Sequence, residues 1–220
     1  MASHPVWIRA LRALAFVALL CNSSTTSSAD EAVVRAPYVE RGDCWSYRAE
    51  NIQHQGKPIR DYELCVNLLD TAKGRIFAVA TVKDDGREID TVYSTEWATY
   101  ASVTGMISRQ GVRPYRFPMK VGDAYSMEFD FLNPRLGTNA GTVRNEVKVA
   151  GWEDIAVPAG TFRALRIEMK GRTKRTDQIS EFDQSTTIWY SPQVRRHVKF
   201  QNRNPWQTQG EELTSFRLNQ

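Results

Sequence analysis

The sequence predicts an all-β fold: an antiparallel barrel or half-barrel of roughly ten strands, with at most one short helix. Three observations carry this. Apolar residues recur with period two rather than 3.6 along most of the chain, turn-forming residues interrupt them at short intervals, and 41% hydrophobic residues in 220 suffice for a core. With 25% charged residues and ordinary Gly and Pro counts, the composition excludes a disordered chain and a small disulfide-stapled scaffold.

The N-terminus reads as a targeting segment. Arg9 and Arg12 precede the apolar run 13–20, and Ser27-Ser28-Ala29 offers a small-x-small cleavage site, so residues 1–29 are expected to be a secretory signal peptide and 30–220 a single domain. The run is less than half of the roughly 20 residues that span a bilayer. Lipidation at Cys21 is the alternative, weakened by bulky Leu20 before it. Removing residues 1–29 takes two Arg and no acid, leaving 27 basic against 25 acidic residues and a net charge of +2, so bulk charge gives no argument for nucleic acid.

The strands follow in order. Trp45, Tyr47 and Ala49 alternate with Ser46, Arg48 and Glu50; Tyr62, Leu64, Val66 and Leu68 alternate with Asp61, Glu63 and Asn67. Runs 76–83 and 88–93 flank Asp85-Gly86, a dipeptide suited to a type I′ turn. Tyr125, Met127, Phe129 and Phe131 share one face, as do Val143, Asn145, Val147 and Val149, and then Leu165, Ile167 and Met169. Further strands are expected over 181–190, 194–201 and 211–218. Segment 94–106 reads as a short helix or irregular crossing, and 133–141 and 202–210 as loops. No internal repeat is visible.

Cys44 and Cys65 are the best-specified pair. A hairpin centred between His54 and Gln55 pairs residues whose numbers sum to 109: Cys44 with Cys65, Trp45 with Leu64, Tyr47 with Tyr62. In an exported protein this points to a disulfide.

Catalytic and metal chemistry is not indicated. The histidines are His4, His54 and His197; the first lies in the signal segment, the remaining two cannot supply a three-ligand zinc site without distant carboxylates, and no metalloprotease, serine hydrolase or phosphate-loop motif occurs. Glu128 and Asp130 lie at i and i+2 of one strand face, a spacing found on almost any alternating strand. The expectation is a protein that is not an enzyme and needs no cofactor or metal.

Val157-Pro158-Ala159-Gly160-Thr161 has the chemistry of a tight hairpin closed by a bulge, with Pro at the first turn centre and Gly where a left-handed residue follows. A strand ending in Trp189-Tyr190-Ser191-Pro192 returns through Val194, Arg196 and Val198. VPAGTF at 157–162, IWYSP at 188–192 and VK at 198–199, with FPMKVGDAY at 117–125 and GDCWSY at 42–47 upstream, resemble an uncharacterised family of Gram-negative envelope proteins. The resemblance implies a secreted or lipid-anchored barrel, comparable to lipid-carrying periplasmic lipoproteins, and carries over no catalytic residue. Arg195 stands where relatives usually have Gly.

Two functions are therefore expected as alternatives. One is binding of a lipid-like ligand on a face that includes Tyr125, Met127, Phe129 and Phe131. The other is an envelope interaction or assembly module using Trp206 and a basic edge of Arg195, His197 and Lys199. Ligand identity, partners and oligomeric state are not written in the sequence.

Overall fold

The structure, a computed structural model, describes Met1, residues 33–134 and residues 136–219. The residues that carry the signal-peptide and Cys21 readings lie outside this set. The unit from Glu31 to Gln220 is a closed antiparallel barrel of twelve strands in sequential order, β12 pairing with β1 to complete the ring. The strands are β1 (Cys44–His54), β2 (Lys57–Asp70), β3 (Arg75–Val82), β4 (Glu88–Ser94), β5 (Thr99–Ala101), β6 (Ile107–Val112), β7 (Ala124–Leu132), β8 (Asn139–Val157), β9 (Gly160–Arg175), β10 (Phe182–Ser191), β11 (Arg196–Arg203) and β12 (Thr208–Arg217). Segment 94–106 holds β5 and turns, and no helix occurs among the described residues.

Alternation sorts side chains by strand parity. Trp45, Tyr47, Tyr62, Leu64, Val66, Ile76, Val147, Val149, Leu165 and Ile167 point inward and are almost completely buried. The outer wall is laced with ion pairs, among them Glu128–Arg144 (3.0 Å), Asp183–Arg172 (3.1 Å) and Glu212–Lys199 (2.7 Å). This polarity is the reverse of a membrane-spanning barrel, whose outer band is apolar.

The expected register of the first hairpin is observed: Cys44 faces Cys65, Trp45 faces Leu64 and Tyr47 faces Tyr62, and the two cysteines form a disulfide. The turn itself is one residue further on. Gln55 (φ 50°) and Gly56 (φ 78°) both take left-handed backbone, and two extra residues in β1 between Arg48 and Ile52 restore the register. The left-handed pair expected at Asp85-Gly86 does not form, because residues 83–86 make a longer loop in which only Gly86 has positive φ. The Asp85 carboxylate there accepts the Arg87 N–H. Leu68 also departs from expectation. A register shift between Val66 and Leu68 reverses its parity and leaves it 57% exposed.

A repeated turn was not visible in the sequence. Before β1, Gly42 N–H donates to Val66 O, Val66 N–H to Asp43 O, and Glu40 N–H to the Asp43 carboxylate. Before β7, Gly122 N–H donates to Val149 O, Val149 N–H to Asp123 O, and Lys120 N–H to the Asp123 carboxylate. The same Gly-Asp device, with φ of 89° and 91° at the two glycines, thus opens each set of six strands. The two sets each carry a Tyr-Ser pair, Tyr93-Ser94 ending β4 and Tyr190-Ser191 ending β10, followed by a left-handed residue, Trp97 (φ 61°) and Arg195 (φ 60°).

Candidate functional site: a cavity inside the barrel

Eight-stranded barrels have interiors that side chains can fill, whereas sixteen or more strands leave a channel, so twelve should leave a partial void. A cavity of about 550 Å³ occupies the barrel, within the range of small-molecule pockets. Its apolar wall includes Met127, Phe129, Val143, Met169, Ile188 and Phe200. Chain direction assigns its two ends. Loops from odd to even strands share one end, and there the lining is polar, with Asn202, Asn204, Gln184, Gln209 and Arg175. Three loops at this mouth each carry an exposed apolar side chain: Leu136 (72%), Ile179 (100%) and Trp206 (64%). Trp206 packs edge-on against the cavity-lining Phe182, ring centroids 4.7 Å apart.

The opposite end is a floor built by the motifs that the sequence singles out. Trp45 Nε1 donates to Val194 O (2.7 Å), Trp97 Nε1 to Arg195 O (2.8 Å), and the Tyr47 hydroxyl to His197 O (2.9 Å), so three rings hold the β10–β11 turn and the start of β11 by their carbonyls. Tyr115 and Phe117, on the connection into β7, pack on Tyr190 at 5.2 and 5.6 Å. Arg195 adopts the left-handed conformation, and its guanidinium pairs with buried Asp43 at 3.3 Å.

Arg196 projects from this turn into the floor and is 6% exposed. Its guanidinium lies 4.3 Å from the Trp97 ring centroid and 4.9 Å from that of Tyr93, with Trp45 and Tyr47 further out. Among the described residues its one hydrogen bond runs from Nη2 to the Tyr93 hydroxyl (3.5 Å), and Nε and Nη1 have no acceptor. Beside it, His197 Nε2 lies 3.1 Å from the Glu211 carboxylate. Burial, outweighing Glu211, holds His197 below its usual 6.5. Burial pushes Glu211 up, but hydrogen bonds from His197 and Tyr62 and the charge of Arg196 outweigh it and keep Glu211 below 4.5. Neutral His197 then donates to ionised Glu211.

The expected site residues are distributed unevenly. Met127, Phe129 and Phe131 line the cavity. Tyr125 does not: it lies nearer the floor, its hydroxyl donating to Pro114 O and Arg116 stacked on its ring. Arg195, His197, Lys199 and Trp206 share no surface, and a closed barrel has no free edge for them to form. A register shift between Trp189 and Tyr190 turns His197 inward and Lys199 outward against Trp189 and Glu212, while Trp206 sits at the mouth. Glu128 and Asp130 serve the outer wall, bonded to Arg144 and Thr142. Among the described residues, the one cluster of possible metal ligands, Cys44, Cys65 and Glu63, contains the disulfide. Arg196 is not among the site residues expected from the sequence, although it occupies the phase of apolar Val194 and Val198, a signal that it faces inward.

The fold and cavity together define a water-facing, up-and-down β-barrel with an apolar chamber. Among solved structures the chain is similar to a lipoprotein candidate from Parabacteroides distasonis at TM-score 0.56 and 13% identity, covering 85% of this chain and all of that one. It also matches an exported-protein candidate with YmcC-like fold from Bacteroides fragilis (TM-score 0.45, 12% identity, 84% and 100% covered) and the hypothetical lipoprotein YmcC from Escherichia coli (0.45, 9%, 79% and 84%). The first likeness establishes a shared fold. No protein-family model matches the sequence, and no curated protein does.

Proposed function

We propose that this protein is a non-enzymatic binder of a lipid-like amphiphile in the cell envelope, taking the ligand through the mouth of its barrel. The observation that carries this reading is the 550 Å³ apolar-walled cavity, since a solid core would need no such space. The exposed Leu136, Ile179 and Trp206 around the mouth support it, because they set apolar surface where an acyl chain would leave a membrane or another carrier. The envelope location rests on the N-terminal signal pattern and the disulfide.

The test is native mass spectrometry of the full chain expressed with its N-terminal segment and purified without detergent. A non-covalent adduct of lipid mass, lost on extraction with organic solvent and restored by added lipid, is the expected result. A protein that leaves the cell without adduct and takes up no lipid from micelles or vesicles overturns the reading.

A further inference from the structure

Arg196 is a costly residue to place in this floor. A buried guanidinium cannot shed its proton, and a buried charge without a hydrogen-bonded counter-ion is ordinarily strongly destabilising. The surrounding rings compensate in part, as aromatic faces attract cations. They do not accept in the plane of the fork, and among the described residues Nε and Nη1 remain without a partner. The nearby carboxylate, Glu211, is committed to His197 and Tyr62 and makes no ion pair with Arg196. The other cation in the lining, Arg175, sits at the mouth and is spent on Asp177 through two bonds of 2.8 Å.

We infer that Arg196 is the recognition site for the anionic head of the ligand, a carboxylate or a phosphate monoester, which enters head first and leaves its acyl chain along the apolar wall toward the mouth. This rests on the binding function proposed above and adds the ligand's charge and orientation. A guanidinium offers parallel N–H donors to two oxygens in a fork that suits either anion, and because Nε and Nη1 are closed off beneath the Trp97 and Tyr93 rings, the head reaches them only as these rings or the Arg196 side chain shift. The chain then lies against Met169, Ile188, Phe129 and Phe131, with the polar mouth residues at its far end.

The experiment displaces the neutral fluorophore N-phenyl-1-naphthylamine from the full chain with dodecanoate, dodecyl phosphate and dodecanol, which share a chain and differ in head. The expected result is that the better anion competes at least tenfold more effectively than dodecanol, the order of the two anions distinguishing carboxylate from phosphate. Arg196→Met should bring the anions to the level of dodecanol and leave dodecanol unchanged. Arg175→Met, at a half-exposed position of the mouth, should keep the preference. If dodecanol matches both anions on the unaltered protein, the inference fails while the cavity reading stands. If the preference disappears in Arg175→Met, the head lies at the mouth and the inference fails likewise. If nothing displaces the fluorophore, or the fluorophore does not bind, the cavity reading falls with it.

Discussion

Gly171 shows how little freedom the barrel wall has at single positions. A Cβ there would stand 1.8 Å from Arg144 O and 2.4 Å from Asn145 Oδ1, whereas one at Gly151 would meet nothing within 4 Å. Gly171→Ala should therefore cost about 3 kcal/mol or prevent folding, as over-packing against backbone does, while Gly151→Ala should be neutral or slightly stabilising. Urea denaturation of the two variants checks this, and equal stabilities would contradict it. The disulfide gives a second residue-scale expectation. Its sequence separation of 21 constrains a loop worth about 3 kcal/mol of chain entropy, so replacing both Cys44 and Cys65 with Ala should lower Tm by roughly 6–12 °C for a domain of this size. A third concerns acid. Because folded His197 resists protonation and folded Glu211 stays ionised below its usual range, the unfolded chain binds more protons as pH drops. Stability should be full above about pH 6.5, fall below it through His197, and fall again below about 4.5 through Glu211. His197→Gln should flatten the upper part of that curve, read as denaturation midpoint between pH 7.5 and 5.5.

At the scale of elements, the hairpin at 157–161 is a turn with a structural duty. Val157 pairs directly with Gly160 across the two-residue loop Pro158-Ala159, without the bulge expected there, and Ala159 N–H reaches across to Leu213 O. Gly160 has φ 131°, a region closed to β-branched residues, and its Cβ direction is nearly free of neighbours. Gly160→Val should therefore cost more than about 1 kcal/mol through backbone strain alone, with any ligand affinity unchanged in the folded fraction. Strong alternation made most strands readable in advance, because each has one face in the core and one in solvent. β5 and β6 were not readable. β5 has three residues, and β6 (ISRQGV) is polar at its centre and interrupted by Gly111, against which the Tyr100 ring lies so closely that a Cβ would stand 2.7 Å from it. The pairing of β6 with β7 is also partly made by a side chain, Gln110 Oε1 accepting the Asp130 N–H. Bulges were likewise illegible, since one extra residue leaves composition unchanged but reverses every side chain beyond it; that is why Leu68 faces out and His197 faces in.

For the whole molecule, closure is what converts a set of amphipathic strands into a chamber. A half-barrel would expose the face of Met127, Phe129 and Phe131, and twelve strands in a ring enclose it with room to spare. The sequence carried the apolar face but not the chamber, because the size of the void depends on strand number and on the floor assembled from residues as distant as Trp45, Trp97, Tyr115 and Arg196. Changing Leu136, Ile179 and Trp206 together to Ser should leave folding intact and slow transfer of a fluorescent fatty acid from vesicles to protein, if the mouth is the entrance. The most direct measurement of the central claim is calorimetric affinity for straight-chain alkanoates of increasing length. Each buried methylene is worth roughly 0.8 kcal/mol, so affinity should rise about tenfold for every two methylenes, then level off once the chain fills the cavity. An affinity that does not change with chain length, or the absence of binding at every length, would contradict a ligand chamber in this barrel.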